Sequence, residues 1–274
     1  MLKVEKMVTL SPEQWEIVIE GMRNPHDSWD KMDSEISYVE DIATLDEVPY
    51  KFHLGEADQK LMENLRDGGP VHAKYRRMMP IWLTINAPLY WWKEFDTYKV
   101  GTVCNSCSTM HRIHKKEFTL DDFSHEHLFG WNIPGSWSPA ECFEDHLTET
   151  DMLWTTENVL ELIIEALNFY REKFLETKDK KYWWQMIQLL PTSYNQKRTV
   201  MITYEVVANM RKWRTNHKLD EWRTLCQYLV DNLPYVELTD EREDSVWDLR
   251  TKISSLEHTI ISLRQELAKL KGEK

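Results

Sequence analysis

The sequence predicts an α+β domain over residues 1–240, followed over 241–274 by a parallel coiled-coil helix. Three observations predict it. Segments with the 3.6-residue apolar period of helices accompany two short runs rich in β-branched and aromatic residues. Turn signals such as Asn24-Pro25 and Asp67-Gly68-Gly69-Pro70 punctuate them. The tail carries an unbroken heptad.

Along the chain, Lys3 to Leu10 reads as a short strand. Ser11-Pro12-Glu13-Gln14 then opens a helix, with Ser as the cap, Pro at the first helical position and Gln three residues after the cap. Its apolar stripe is Trp15, Val18, Ile19 and Met22. The acidic stretch from Asp27 to Glu47 is expected to mix loop and helix, and Leu54 to Arg66 to be helical. Met78 to Ile85 suits a buried strand, after which Ala87-Pro88 starts a helix bearing Tyr90, Trp91 and Phe95. Further helices are expected over 119–128, 139–148 and 156–176, the last with Val159, Leu160, Ile163, Ile164, Leu167 and Tyr170 on one face. Leu189-Leu190-Pro191 closes the next element, and helices follow from about Thr199 to Trp213 and from Lys218 to Leu233.

In the tail, Val246, Leu249, Ile253, Leu256, Ile260, Leu263, Leu267 and Leu270 are spaced alternately by three and four. β-branched residues at the first seam position with Leu at the second favour two parallel strands. Each such side chain contributes about 1.5–3 kcal/mol when fully buried, so eight suffice to hold subunits together.

Composition narrows the function. Apolar residues make up 42% of the chain, with 13 Trp and only 8 Gly, which predicts a heavily packed body. A net charge of -12 argues against coating a nucleic-acid polymer, because such binding depends on releasing phosphate counterions. A small anionic ligand needs only a local basic pocket. Basic clusters occur at Lys74, Arg76 and Arg77, at Arg112, Lys115 and Lys116, and at Lys197 and Arg198. Four Cys in so long a chain do not make a disulfide scaffold. The first residues lack a signal peptide's apolar stretch, and no apolar run approaches the 18–20 or so residues of a membrane span. The expected location is therefore a reducing cytoplasm, with no membrane partner.

Three constellations carry chemistry. Cys104, Cys107, His111 and His114 supply four possible zinc ligands, but within eleven residues, too short a loop for easy tetrahedral closure. Small buried thiols with polar histidines at a pocket edge are the preferred reading. The run from Tyr98 to Arg112 is rich in hydroxyl and amide side chains and holds Gly101, so its loop can offer donors to a phosphate or carboxylate. Arg214 and His217, three apart, share a face on a continuous helix.

Together these pieces resemble the flavin-dependent thymidylate synthases over roughly residues 60–235. That family's signature is an Arg-His-Arg triplet, seven residues, then Ser, downstream of an Ala-Pro segment. Here Ala87-Pro88 precedes a loop in which Asn105 and Ser108 match the signature's Asn and second Ser. Leu190-Pro191, Tyr194, Arg214, His217 and Glu221 look like later family segments, and Gly69-Pro70-Val71-His72 sits at its Gly-His turn. The triplet, however, is replaced by Tyr98-Lys99-Val100, and the later Arg by Met110, with His111 and Arg112 next to it. In the family those arginines help hold flavin and deoxyuridylate phosphate, and a lysine supplies only a point charge in place of their planar forks.

The resemblance implies a small-nucleotide-binding protein of divergent, phage type, in which Tyr98, Lys99, Asn105, Ser108, His111, Arg112, Arg214 and His217 line a site between subunits of a homotetramer. It is expected to lack ordinary synthase activity and to sense or sequester a nucleotide signal. FAD is the cofactor the resemblance implies; the residues themselves name none. Two rival expectations are an active flavin-dependent methylase of dUMP or a related pyrimidine nucleotide, and a ligand-free coiled-coil scaffold.

Overall fold

In a computed structural model that describes residues 2–40, 47–130, 155–240 and tail positions 253, 254, 256, 257, 259–264, 266 and 267, the chain is organised around a four-stranded antiparallel sheet. Its spatial order is β1 (Lys3–Val8), β4 (Pro80–Pro88), β6 (Asn195–Thr203) and β5 (Thr102–Ser106). Alternation divides β4 cleanly: Ile81, Leu83, Ile85 and Ala87 are 0% exposed on the covered face. On the open face, Val8, Trp82, Met201 and Val103 fall in register across all four strands.

Helix α1 (Pro12–Arg23) begins as its sequence predicts. The Ser11 hydroxyl accepts the Gln14 N–H at 3.4 Å, and the Gln14 side chain accepts the Ser11 N–H at 2.9 Å. Its stripe packs beneath an element that the sequence conceals. Of the stretch 27–47, expected to mix loop and helix, the described part holds a 3-10 turn at Trp29–Lys31 and then a strand that was not expected, β2 (Glu35–Glu40). It pairs antiparallel with β3 (Glu47–His53) as a hairpin. Most hairpin side chains are polar or exposed, and what places it is Phe52 of β3, stacked on Trp15 with ring centroids 5.2 Å apart. Packing overrides composition here.

A second correction concerns the helix expected from Thr199. The β-branched run Thr199, Val200, Ile202 and Thr203 extends β6, which pairs with β4 from Pro80↔Thr203 to Pro88↔Asn195. Helix α7 (Tyr204–Arg214) starts only afterwards, with Thr203 as its cap. The remaining expected helices form as α2 (Glu56–Asp67), α3 (Leu89–Phe95), α5 (Thr156–Thr177) and α8 (Asp220–Asn232), and the element closed by Leu189-Leu190-Pro191 is a helix, α6 (Lys180–Leu189). A short α4 spans Thr109–Arg112. Of the helix expected over 119–128, only one 3-10 turn, Leu120–Asp122, exists. The segment 139–148 lies outside the described residues.

Helices α1, α3, α7 and α8 cover the sheet's buried face in one large core. A smaller core, built on Ile113, Phe118, Phe123, Leu160, Leu167 and Met186, joins α5 and α6 to the segment after β5. In the tail, Ile253, Leu256, Ile260, Leu263 and Leu267 lie on helical backbone and are 49–63% exposed. Val246, Leu249 and Leu270 of the same seam lie outside the described residues. No helix among the described residues is long and apolar enough to cross a membrane.

Candidate functional site

The site is built where the chain leaves β4. Pro88 starts α3, and Trp91, Trp92 and Phe95 sink into the core, which leaves Glu94 beside α7 and α8. Oε2 of Glu94 takes the Arg214 Nη1–H at 3.0 Å and the Trp222 indole N–H at 2.9 Å, with His217 Nε2 3.5 Å away. His217 Nδ1 accepts the Leu219 N–H at 3.2 Å, which puts the neutral ring's proton on Nε2, facing Glu94. The Arg214 guanidinium also lies 4.8 Å over Trp222 and donates through Nε to the Tyr98 hydroxyl at 3.0 Å. Helix α7 ends at Arg214, so Arg214 and His217 do not share a continuous helix face; Glu94 brings them together instead.

Beyond this knot the chain turns back through Tyr98-Lys99-Val100-Gly101. Gly101 has φ +71°, and a Cβ there would stand 3.1 Å from the Thr203 hydroxyl and 3.2 Å from Val206, so backbone and space both call for glycine. The turn and α7 enclose a groove of about 510 Å³. Thr97 to Val100 form one wall; Glu205, Val206, Asn209, Trp213 and Arg214 form the other, along one face of α7. Arg77 binds Glu205 through two contacts, at 2.9 and 2.8 Å. Lys99 has no ion pair or hydrogen bond among the described residues, and the Trp213 indole is 67% exposed.

The predicted site residues therefore separate. Tyr98, Lys99 and Arg214 line the groove, and His217 joins them through Glu94. Asn105 pairs with Thr199 on the edge strand β5, exposed and not among the groove's lining residues. The Ser108 hydroxyl caps α4 by accepting the His111 N–H at 3.1 Å, and His111 and Arg112 are exposed on that helix. Missing from the sequence prediction were Glu94, Glu205, Asn209, Trp213 and Trp222. Only the spacing of Val206, Asn209 and Trp213 on one helix face was available to suggest them.

Cys104 and Cys107 are exposed, not buried as expected. Cys104 lies within extended β5, and the Cys107 N–H continues its ladder by donating to the Lys197 carbonyl at 2.9 Å. Three extended residues span about 10 Å, well beyond disulfide reach. Among the described residues no cluster of three or more His, Cys, Asp or Glu is arranged to hold a metal ion. The guanidinium of Arg198 lies 4.4 Å from the Trp92 ring and binds Asp96 at 2.8 Å, so it too is occupied. On the far side of α3, the Tyr90 hydroxyl donates to the buried Glu221 and contacts Ser124 at 3.1 Å. Burial, and then that carboxylate, hold the phenol above its ordinary range and keep it a donor.

No protein-family model matches the chain, and no curated protein matches it. Among solved structures, it is similar to the flavin-dependent thymidylate synthase ThyX of Helicobacter pylori complexed with FAD and dUMP. Identity is 16%, the TM-score is 0.52, and the match covers 87% of this chain and 97% of that one. A second structure of that enzyme, also with FAD and dUMP, matches at 16% identity and TM-score 0.52, over 87% and 96%. The chain has that fold, and the remote resemblance seen in its motifs extends to three dimensions.

Proposed function

We propose that this chain binds a small nucleotide in the groove between the Thr97–Val100 turn and α7, and that it lacks ordinary flavin-dependent synthase activity. The observation that carries the reading is a groove holding a cation unpaired among the described residues, Lys99, and a largely exposed indole, Trp213. It lies on a fold whose solved counterparts hold FAD and dUMP. A base stacks on the indole, and the phosphate meets Lys99. Loss of synthase chemistry is supported by the guanidiniums: Arg214 is held by Glu94 and Arg198 by Asp96, so neither presents a free fork to a phosphate. Tyr98-Lys99-Val100 stands where the family carries its triplet.

The test is mass spectrometry of small molecules released from the denatured protein, with thermal shifts against a nucleotide panel. A nucleotide without stoichiometric flavin is the expected result. Near-stoichiometric flavin absorbance would establish the methylase reading instead, and an empty protein with no thermal shift would leave only the scaffold.

The assembly we propose is a homotetramer reinforced by a coiled coil over 246–270. Its support is the exposed seam from Ile253 to Leu267 and the apolar row across the open sheet face. Light scattering of a chain lacking 241–274 tests it: a truncated tetramer makes the coil accessory, and monomers would refute the family-like assembly. Two exposed free thiols, Cys104 and Cys107, fit the reducing cytoplasm we propose as its location.

A further inference from the structure

The segment after β5 brings together a second set of cations, separate from the groove. Arg112 ends α4, and His114 and Lys115 follow in a 3-10 turn. The Arg171 side chain of α5 donates to the His114 carbonyl at 3.1 Å. The Phe174 ring, one turn on, lies 4.9 Å from the His114 ring and 5.9 Å from Lys178 Nζ. Arg112, Lys115, Arg171 and Lys178 thus converge around one imidazole.

What distinguishes them is neutralisation. Their neighbours Lys116 and Lys173 each bind a carboxylate, Asp122 at 2.8 Å and Glu176 at 3.0 Å. None of the four has an ion pair among the described residues. In a chain of net charge -12, four unmatched cations in one place repel one another while acids abound elsewhere. The helix dipole accounts for Lys178, the residue that terminates α5, but not for the other three. Moreover, Nδ1 of His114 is buried and has no hydrogen-bond partner among the described residues. Such atoms are uncommon in native proteins and call for an explanation.

We propose that Arg112, Lys115, Arg171 and Lys178 around His114 form a binding site for a compact, multiply charged phosphate such as a pyrophosphate group. An anion of this kind meets several cations at once, with charge-assisted hydrogen bonds to each. Burial and then the four charges push the His114 pKa below its ordinary value, and a bound anion reverses the second effect.

Inorganic pyrophosphate is the probe, titrated calorimetrically into the full chain at physiological ionic strength, with orthophosphate as control. The expected result is binding of pyrophosphate in preference to orthophosphate. It weakens at least tenfold in the exposed double variant R112A/K115A and in R171A, and is unchanged in K99A. The His114 ring, followed by NMR, titrates at higher pH when pyrophosphate is present. Wild-type protein that fails to bind, R112A/K115A that binds as wild type while still folded by circular dichroism, or an unmoved His114 titration would each overturn the site. Pyrophosphate binding lost only in K99A would place the anion in the groove and overturn it too. Nucleotide binding in the groove is a separate measurement and stands or falls without affecting this one.

Discussion

Two basic regions of this molecule handle charge in opposite ways. At the groove, Arg214 lies on Glu94, Arg77 on Glu205 and, on the adjoining strand, Arg198 on Asp96, which leaves Lys99 as the groove's unmatched cation among the described residues. Around His114, four cations stand without a carboxylate partner among the described residues. The first region is a packed knot in which charge is part of the architecture. In the second, repulsion is tolerated, which folding alone does not favour. A cation count from sequence cannot separate these cases, because what matters is which acid each cation reaches.

Substitutions can break or sharpen that contrast. The largest effect is expected from Trp222→Ala, which removes a fully buried indole packed against Phe95, Trp91 and the Arg214 guanidinium. It should cost about 3–5 kcal/mol in urea unfolding. Glu94→Ala should cost about 2 kcal/mol, because it strands the Arg214 and Trp222 donors. If it costs nothing, the knot is not structural. Gly101→Ala should cost about 1–2 kcal/mol through its positive φ and its close approach to Thr203. The smallest effect has the opposite sign. Lys115→Glu should stabilise the fold by about 0.3 kcal/mol by relieving repulsion, while abolishing pyrophosphate binding. Destabilisation there would mean that Lys115 is already matched and that the contrast is false.

The same distinction explains what could be foreseen. The capping box of α1 was legible because Ser11 and Gln14 satisfy one another locally. Helix α5 was legible because one apolar face repeats over many turns. The β2–β3 hairpin was not, since its placement depends on Phe52 meeting Trp15, far away in sequence. Strand β6 was obscured because its β-branched run leads directly into the periodic residues of α7. Within the candidate site, Tyr98, Lys99 and Arg214 were found, but they were grouped with Asn105, Ser108, His111 and Arg112, which the fold places elsewhere.

The sequence by itself determined the local features: the start of α1, the buried strand β4, the heptad seam and the family-like spacing of motifs. Each rests on residues within a few turns of one another, where period and capping chemistry act. Tertiary structure alone decided that Glu94 neutralises Arg214 across 120 residues, and that α5 delivers Arg171 and Lys178 to His114. Charge acts through space over a few ångströms, so whether a cation is bound or free depends on folding and not on its neighbours in the chain.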